Sequence, residues 1–136
     1  MDREYRMLID GALVKGATDF DVINPATGEP FAKCPKADEG LIDRAVAAAK
    51  AAFPAWAAKP IEERAALVGK LSEALEARAS EFAHLLTSEQ GKPLDQAMYE
   101  LMGSIFTLRA FTAMRIDPKT LRDENGNTVI EHHTPL

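Results

Sequence analysis

The chain has 136 residues, enough for one domain with its own core, and its 46% hydrophobic and 27% charged content is ordinary for a soluble globular protein. A formal net charge of −5 argues against general nucleic-acid binding and against anionic membrane surfaces, which both call for a basic face. Lys50 and Pro54 break the longest candidate for a bilayer span, and Met1-Asp2-Arg3-Glu4 is charged rather than of signal-peptide type. The single cysteine leaves no internal disulfide, so the cytoplasm is the default compartment.

The first third reads as β. Met7-Leu8-Ile9 and Leu13-Val14 flank Asp10-Gly11, a strong hairpin signal. A second hairpin is expected where Phe20, Val22 and Ile23 precede Asn24-Pro25-Ala26-Thr27-Gly28-Glu29, and Phe31, Ala32 and Cys34 follow it. Asn before Pro, with Gly three residues beyond, gives that turn a mechanism.

Three long helices are expected next. Asp38 is a good N-cap for the first, with Glu39 in its first turn. Ile42, Ala45, Val46, Ala49, Phe53 and Trp56 share one face, and Pro54 is expected to interrupt the helix, leaving 53–58 as a bent end or connector. The second helix starts at Pro60 after a poor cap, Lys59, and its stripe of Leu67, Leu71, Leu75, Phe82 and Leu86 runs to Gly91, with Ser80 as a point of recapping. The third runs from Pro93 towards Arg115, with Ala97, Met98, Leu101, Ile105 and Leu108 on its apolar side and Ile116-Asp117-Pro118 as its stop. The tail returns to β, with a type I′ turn at Asn125-Gly126 and an exposed or edge strand over Thr128-Val129-Ile130-Glu131-His132-His133.

Between the second and third helices, Thr87-Ser88-Glu89-Gln90-Gly91-Lys92-Pro93-Leu94 forms a sharp corner. Gly91 can take the positive φ that ends a helix, Lys92 places a cation near the exposed carbonyls, and Pro93 suits the first turn of the next helix. Side chains able to do chemistry are sparse. Cys34 lies in an alternating strand with no helix N-terminus or cation beside it in sequence, and reads as a small semi-buried hydrophobe. Adjacent strand residues such as His132 and His133 point to opposite faces, and His84 is isolated in a helix, so no metal set is formed. Neither a G-x-G-x-x-G nor a Walker glycine loop is present.

Taken in order, Ile23-Asn24-Pro25-Ala26-Thr27-Gly28-Glu29, the helical run Asp43 to Ala49, Phe53-Pro54-Ala55-Trp56, Pro60-Ile61-Glu62-Glu63-Arg64-Ala65 and the Gly91 corner resemble the N-terminal part of the NAD(P)-dependent aldehyde dehydrogenases. Each motif is weak alone; the ordered set, covering about Leu8 to Leu136, is specific. The resemblance implies an α/β fold with two N-terminal hairpins, three helices and a C-terminal hairpin or arm. Residues 1–120 would be the hairpin and helical part of the cofactor-binding domain, and 121–136 the start of an oligomerisation arm.

The parent protein would oxidise an aldehyde to a carboxylate with NAD or NADP, through a cysteine thioester hydrolysed by glutamate-activated water. That cysteine, that glutamate and the cofactor-binding segments belong to motifs downstream of this stretch. The resemblance therefore implies an N-terminal fragment, continued by Gly-Val-Val after Thr134-Pro135-Leu136, with no catalytic residue, no bound cofactor and no activity alone. It implies a structural monovalent cation, Na or K, held by the carbonyls of Val22 and Ile23 and the carboxylate of Glu89. A solvated helix-end Glu89 is the plainer reading. Ser104 and Leu108 are the positions implied for a substrate-tunnel wall, with core packing as the alternative for Leu108. Leu67, Leu71, Leu75, Leu101 and Ile105 would need cover from repacking or from a second copy, so a homo-oligomer is expected. The competing expectation is a self-associating or subunit-binding module without catalysis.

Overall fold

The computed structural model describes residues 4–133, so Thr134-Pro135-Leu136 and the charged start at 1–3 lie outside the described residues. The order is β1 (Met7–Ile9), β2 (Ala12–Val14), β3 (Thr18–Asn24), β4 (Glu29–Lys36), α1 (Glu39–Ala57), α2 (Ile61–Glu76), α3 (Ala79–Gln90), α4 (Leu94–Ala113), β5 (Lys119–Glu124) and β6 (Asn127–Glu131). The strands form three separate antiparallel hairpins, β1-β2, β3-β4 and β5-β6.

Turn chemistry sets each hairpin. Asp10 and Gly11 have φ of 53° and 73°, and Asn125 and Gly126 have 52° and 75°, the left-handed pairs that a type I′ turn requires. Between β3 and β4, the Asn24 side-chain oxygen accepts from the Ala26 N–H at 2.9 Å and the Gly28 N–H donates to the Asn24 carbonyl at 2.8 Å. The β3-β4 register shifts between Val22 and Ile23, where Val22 faces Ala32 and Ile23 faces Pro30. Phe31 is the extra residue of that bulge. The last strand stops at Glu131, and every residue of β5 and β6 is exposed, as expected of an exposed strand.

The helices differ from expectation in two places. Pro54 lies inside α1, which continues to Ala57, so the proline does not interrupt the helix and 53–58 is its end rather than a connector. Helix-forming alanines flank Pro54, its ring is exposed, and the Ala58 N–H still donates to its carbonyl at 3.1 Å, so a single missing N–H is absorbed. The expected second helix is two, making four helices rather than three among the described residues. The break falls at Ala77 and Arg78, ahead of Ser80. Arg78 flanks the new start without a side-chain cap; its guanidinium instead forks onto the Glu81 carboxylate at 2.9 and 2.8 Å and lies 5.1 Å from the Phe82 ring centre. The break lets α2 and α3 each pack on α4, which one straight helix could not do over that length.

The core is small. Ile105 is 1% exposed, and Ala83, Ala97 and Ser72 on the packed helices are buried too, their short side chains allowing close helix approach; Ile9 is buried separately, on β1. Of the five residues expected to seek cover, Ile105 is buried, Leu75 and Leu101 are half-buried, and Leu67 and Leu71 remain 43% and 57% exposed. Internal repacking covers part of the stripe only. Exposed ion pairs from Glu76 to Arg109 and from Glu62 to Arg115 run between α2 and the end of α4. Helix α4 stops at Ala113, ahead of Pro118, with Met114 extended and the Arg115 guanidinium donating to the Thr112 and Met114 carbonyls at 2.9 and 2.8 Å.

Candidate functional site

The corner after α3 and the turn after β3 are far apart in sequence and press together in space. Gly91 closes α3 at φ 72°, its N–H donating to the Thr87 carbonyl at 2.8 Å. A Cβ there would lie 2.8 Å from Cγ of Pro25. The contact sets the end of α3 beside the end of β3. It brings together the two segments from which a cation site was expected.

Of the expected ligands, Val22 is half-buried and Ile23 exposed, and the β-bulge falls between them, where it re-aims the strand. Glu89 is exposed in the last turn of α3. Lys92 does not turn back to that helix end: its ammonium pairs with the Glu100 carboxylate on α4. The negative end of α3 therefore keeps no basic residue in its last turn. Among the described residues no group of three or more His, Cys, Asp or Glu could hold a metal ion. Main-chain carbonyls and carboxylates are hard-oxygen groups, the class of ligand that alkali cations take.

Ser104 is exposed on α4 and donates to the Glu100 carbonyl at 3.1 Å. Leu108, one turn on, is half-buried. The buried Ile105 beside Ser104 marks the inward side of the helix, so this pair stands at its margin. Cys34 is a free, half-buried thiol paired across the hairpin with Phe20. His84 and His132 are exposed, and His133 Nε2 lies 3.0 Å from the Glu131 carboxylate. Among the described residues, Cys34, His84 and His132 make no side-chain hydrogen bond or ion pair, and the contact of His133 is to an exposed carboxylate two residues away.

The helix N-termini are acidic. Each carries acid in its first turn: Glu39 on α1, Glu62 and Glu63 on α2, Glu81 on α3 and Asp95 on α4. Carboxylates there complement the positive end of each helix dipole. The Asp38 side chain already occupies the start of α1, accepting from the Leu41 N–H at 2.9 Å.

One feature escaped the sequence reading. A cavity of about 570 Å³ opens between the N-terminal segment and the β3-β4 hairpin, with Tyr5, Lys15, Asp21, Phe31 and Lys33 among its walls. On its rim, hydrogen bonding and charge from Arg6, reinforced by Lys15, hold the Glu4 carboxyl below its ordinary range. The close pass at Gly16 shapes this rim, since a Cβ there would stand 2.6 Å from the Thr18 carbonyl oxygen. Lys15-Gly16-Ala17 was the available signal, but it carries no hint of what it packs against.

The family model described as the aldehyde dehydrogenase family matches residues 13–136. An N-succinylglutamate 5-semialdehyde dehydrogenase of Chromobacterium violaceum is 40% identical over 130 residues, 93% of this chain and 27% of that protein. Among solved structures, an aldehyde dehydrogenase of Brucella melitensis biovar abortus 2308 superposes with TM-score 0.88 at 31% identity, covering 93% of this chain and 27% of that one. A succinate-semialdehyde dehydrogenase of Burkholderia pseudomallei superposes with TM-score 0.86 at 30% identity, with the same shares of 93% and 27%. The chain thus spans about a quarter of the length of the relatives it matches.

Proposed function

We propose that this chain, which belongs to the NAD(P)-dependent aldehyde dehydrogenase family, forms the N-terminal part of an enzyme that oxidises an aldehyde to a carboxylate. The observation that carries this is coverage: nearly all of the chain superposes on about a quarter of a solved dehydrogenase. The motifs that carry the family's nucleophile, general base and cofactor site have no counterpart in this sequence. The reacting residues and the NAD or NADP site therefore belong to the rest of the enzyme, and this part supplies scaffold. Within that scaffold, the carbonyls of Val22 and Ile23 and the carboxylate of Glu89 hold a sodium or potassium ion that ties the first half to the helices. Ser104 and Leu108 form part of the wall along which the aldehyde enters.

The test is reduction of NAD and NADP by the 136-residue chain with a panel of aldehydes, alone and fused to the remaining three-quarters of a related dehydrogenase. The expected result is turnover by the fusion only. Turnover by the chain alone would overturn the reading, as would a folded fusion without activity.

A second reading is supported by the exposed apolar surface. Val46, Phe106 and Phe111 are 61%, 73% and 58% exposed, a composition suited to self-association or to docking on another subunit. Sedimentation equilibrium separates the cases: a monomer at all concentrations removes the self-associating form of this reading.

A further inference from the structure

We propose that Asn125 is a site of spontaneous deamidation and that it is the one asparagine of this chain so disposed. The chain has three asparagines, at 24, 125 and 127. The reaction needs the next residue's backbone nitrogen to attack the side-chain carbonyl carbon. Asn24 cannot react this way, because Pro25 has no N–H to give up, and its side-chain oxygen is held by the Ala26 N–H at 2.9 Å. Asn127 is followed by the β-branched Thr128, which crowds the approach, and it is paired with Glu124 in the β5-β6 ladder. Asn125 is followed by Gly126, whose missing side chain leaves the nitrogen open; even an added Cβ there would meet nothing within 4 Å.

The surroundings of Asn125 release it to react. At φ 52° the type I′ turn must first open to bring the Gly126 nitrogen onto the side chain. That opening is cheap here, because among the described residues β5 and β6 pair only with each other, and every residue of both is exposed. The Asp10-Gly11 turn has the same geometry but closes a hairpin whose Ile9 is buried, with β1 packed on α1. It also offers a carboxylate, a much poorer acyl group than an amide.

The step balances with water as co-reactant. The Gly126 nitrogen loses its proton to solvent base and attacks Cγ of Asn125; ammonia leaves, closing a five-membered succinimide. Water then opens the ring at either carbonyl, giving aspartate or isoaspartate. The product adds one negative charge, and isoaspartate also inserts a methylene into the main chain at the tip of a hairpin whose register depends on that turn.

The experiment incubates the intact 136-residue chain for days in mildly alkaline and mildly acidic buffer, followed by intact mass and peptide mapping with isoaspartate detection. The expected result is a gain of just under one dalton, placed at Asn125 rather than Asn127 by fragmentation of the peptide that holds both, with isoaspartate present and faster at alkaline pH. Asn125→Gly, which keeps the left-handed turn, should show no gain. The proposal is overturned if modification appears first at Asn127 or Asp10. It is equally overturned if the folded chain stays unmodified, whether or not a urea-denatured control reacts, since the turn would then protect Asn125.

Discussion

Gly91 and Pro25 are in contact so close that a single added carbon on Gly91 would stand 2.8 Å from Cγ of the proline. This joins the β3-β4 hairpin to the helices, because it seats the end of α3 against the turn that follows β3. Gly91→Ala should combine two penalties, a left-handed backbone and a steric conflict. A loss of about 2–4 kcal/mol is expected in urea unfolding. Gly28→Ala and Gly126→Ala, at φ 74° and 75° with open space around them, carry only the backbone cost of about 1 kcal/mol. Equal losses at all three positions would mean that the Pro25 contact contributes nothing.

How far this corner was legible in sequence differs between its halves. Gly-Lys-Pro announced a helix stop, and Asn-Pro with a later Gly announced a turn, because both are local chemistry. That Gly91 meets Pro25 depends on how α3 swings back after Arg78; Ser80 marks a recapping point near that break, but the stripe from Leu67 to Leu86 gives neither its exact place nor its direction. The Asx-Gly hairpins were readable for the same local reason. Pro54 was misread because a proline's cost is local, while the helix-forming alanines around it share the load. Of the cation site, sequence supplied the residue positions through family resemblance, and the contact supplies only the nearness of their segments.

If an alkali cation bridges the Val22 and Ile23 carbonyls to Glu89, stability should depend on which monovalent ion is present. The expected outcome is a higher Tm in NaCl or KCl than in choline chloride at equal ionic strength, with the difference abolished in Glu89→Gln. Identical Tm values across the salts for the native chain would remove the ion from this corner. Matched ionic strength matters, because general screening moves exposed ion pairs such as Lys33–Asp21 in all three salts alike.

The small core makes one helix residue disproportionately important. Ile105→Ala deletes a side chain that is 1% exposed between the packed helices, and a loss of about 2–4 kcal/mol is expected in chemical unfolding. The neighbouring Phe106→Ala removes a larger side chain that is 73% exposed, and should stay within about 0.5 kcal/mol. A large loss at Phe106 would show that this surface is covered in solution, which favours self-association over a solitary chain.

Glu4 provides a pH-dependent check on the rim of the N-terminal cavity. Its folded pKa is lowered, first by the Arg6 hydrogen bond and then by the charges of Arg6 and Lys15. A carboxyl with a depressed folded pKa stabilises the fold above its unfolded value, and that contribution is lost as pH falls through the folded one. Glu4→Gln should therefore be slightly less stable than the native chain at neutral pH and converge with it in strong acid. The carboxylate is exposed, so the difference is small and should shrink further in high salt. Curves that run parallel through the acid range would show that the Arg6 contact at 3.0 Å has no energetic weight in solution.

Pro54 tests whether α1 pays for continuing through a proline. The residue lacks the N–H that would bond to the Lys50 carbonyl, and it lies in the interior of a helix that runs from Glu39 to Ala57. Replacement by alanine restores that donor and removes the ring, but it also frees the unfolded chain, which offsets part of the gain. A net stabilisation of about 1–3 kcal/mol is expected, with a rise in helical circular dichroism confined to a few residues. The opposite sign would mean that the proline is holding the exit of α1, where Phe53 and Trp56 are 38% and 39% exposed, in a geometry that alanine does not keep. Since α1 touches the rest of the described fold chiefly through β1, a stabilised α1 should leave the α2–α4 unfolding transition unchanged, so a shift in α1 signal alone separates the two outcomes.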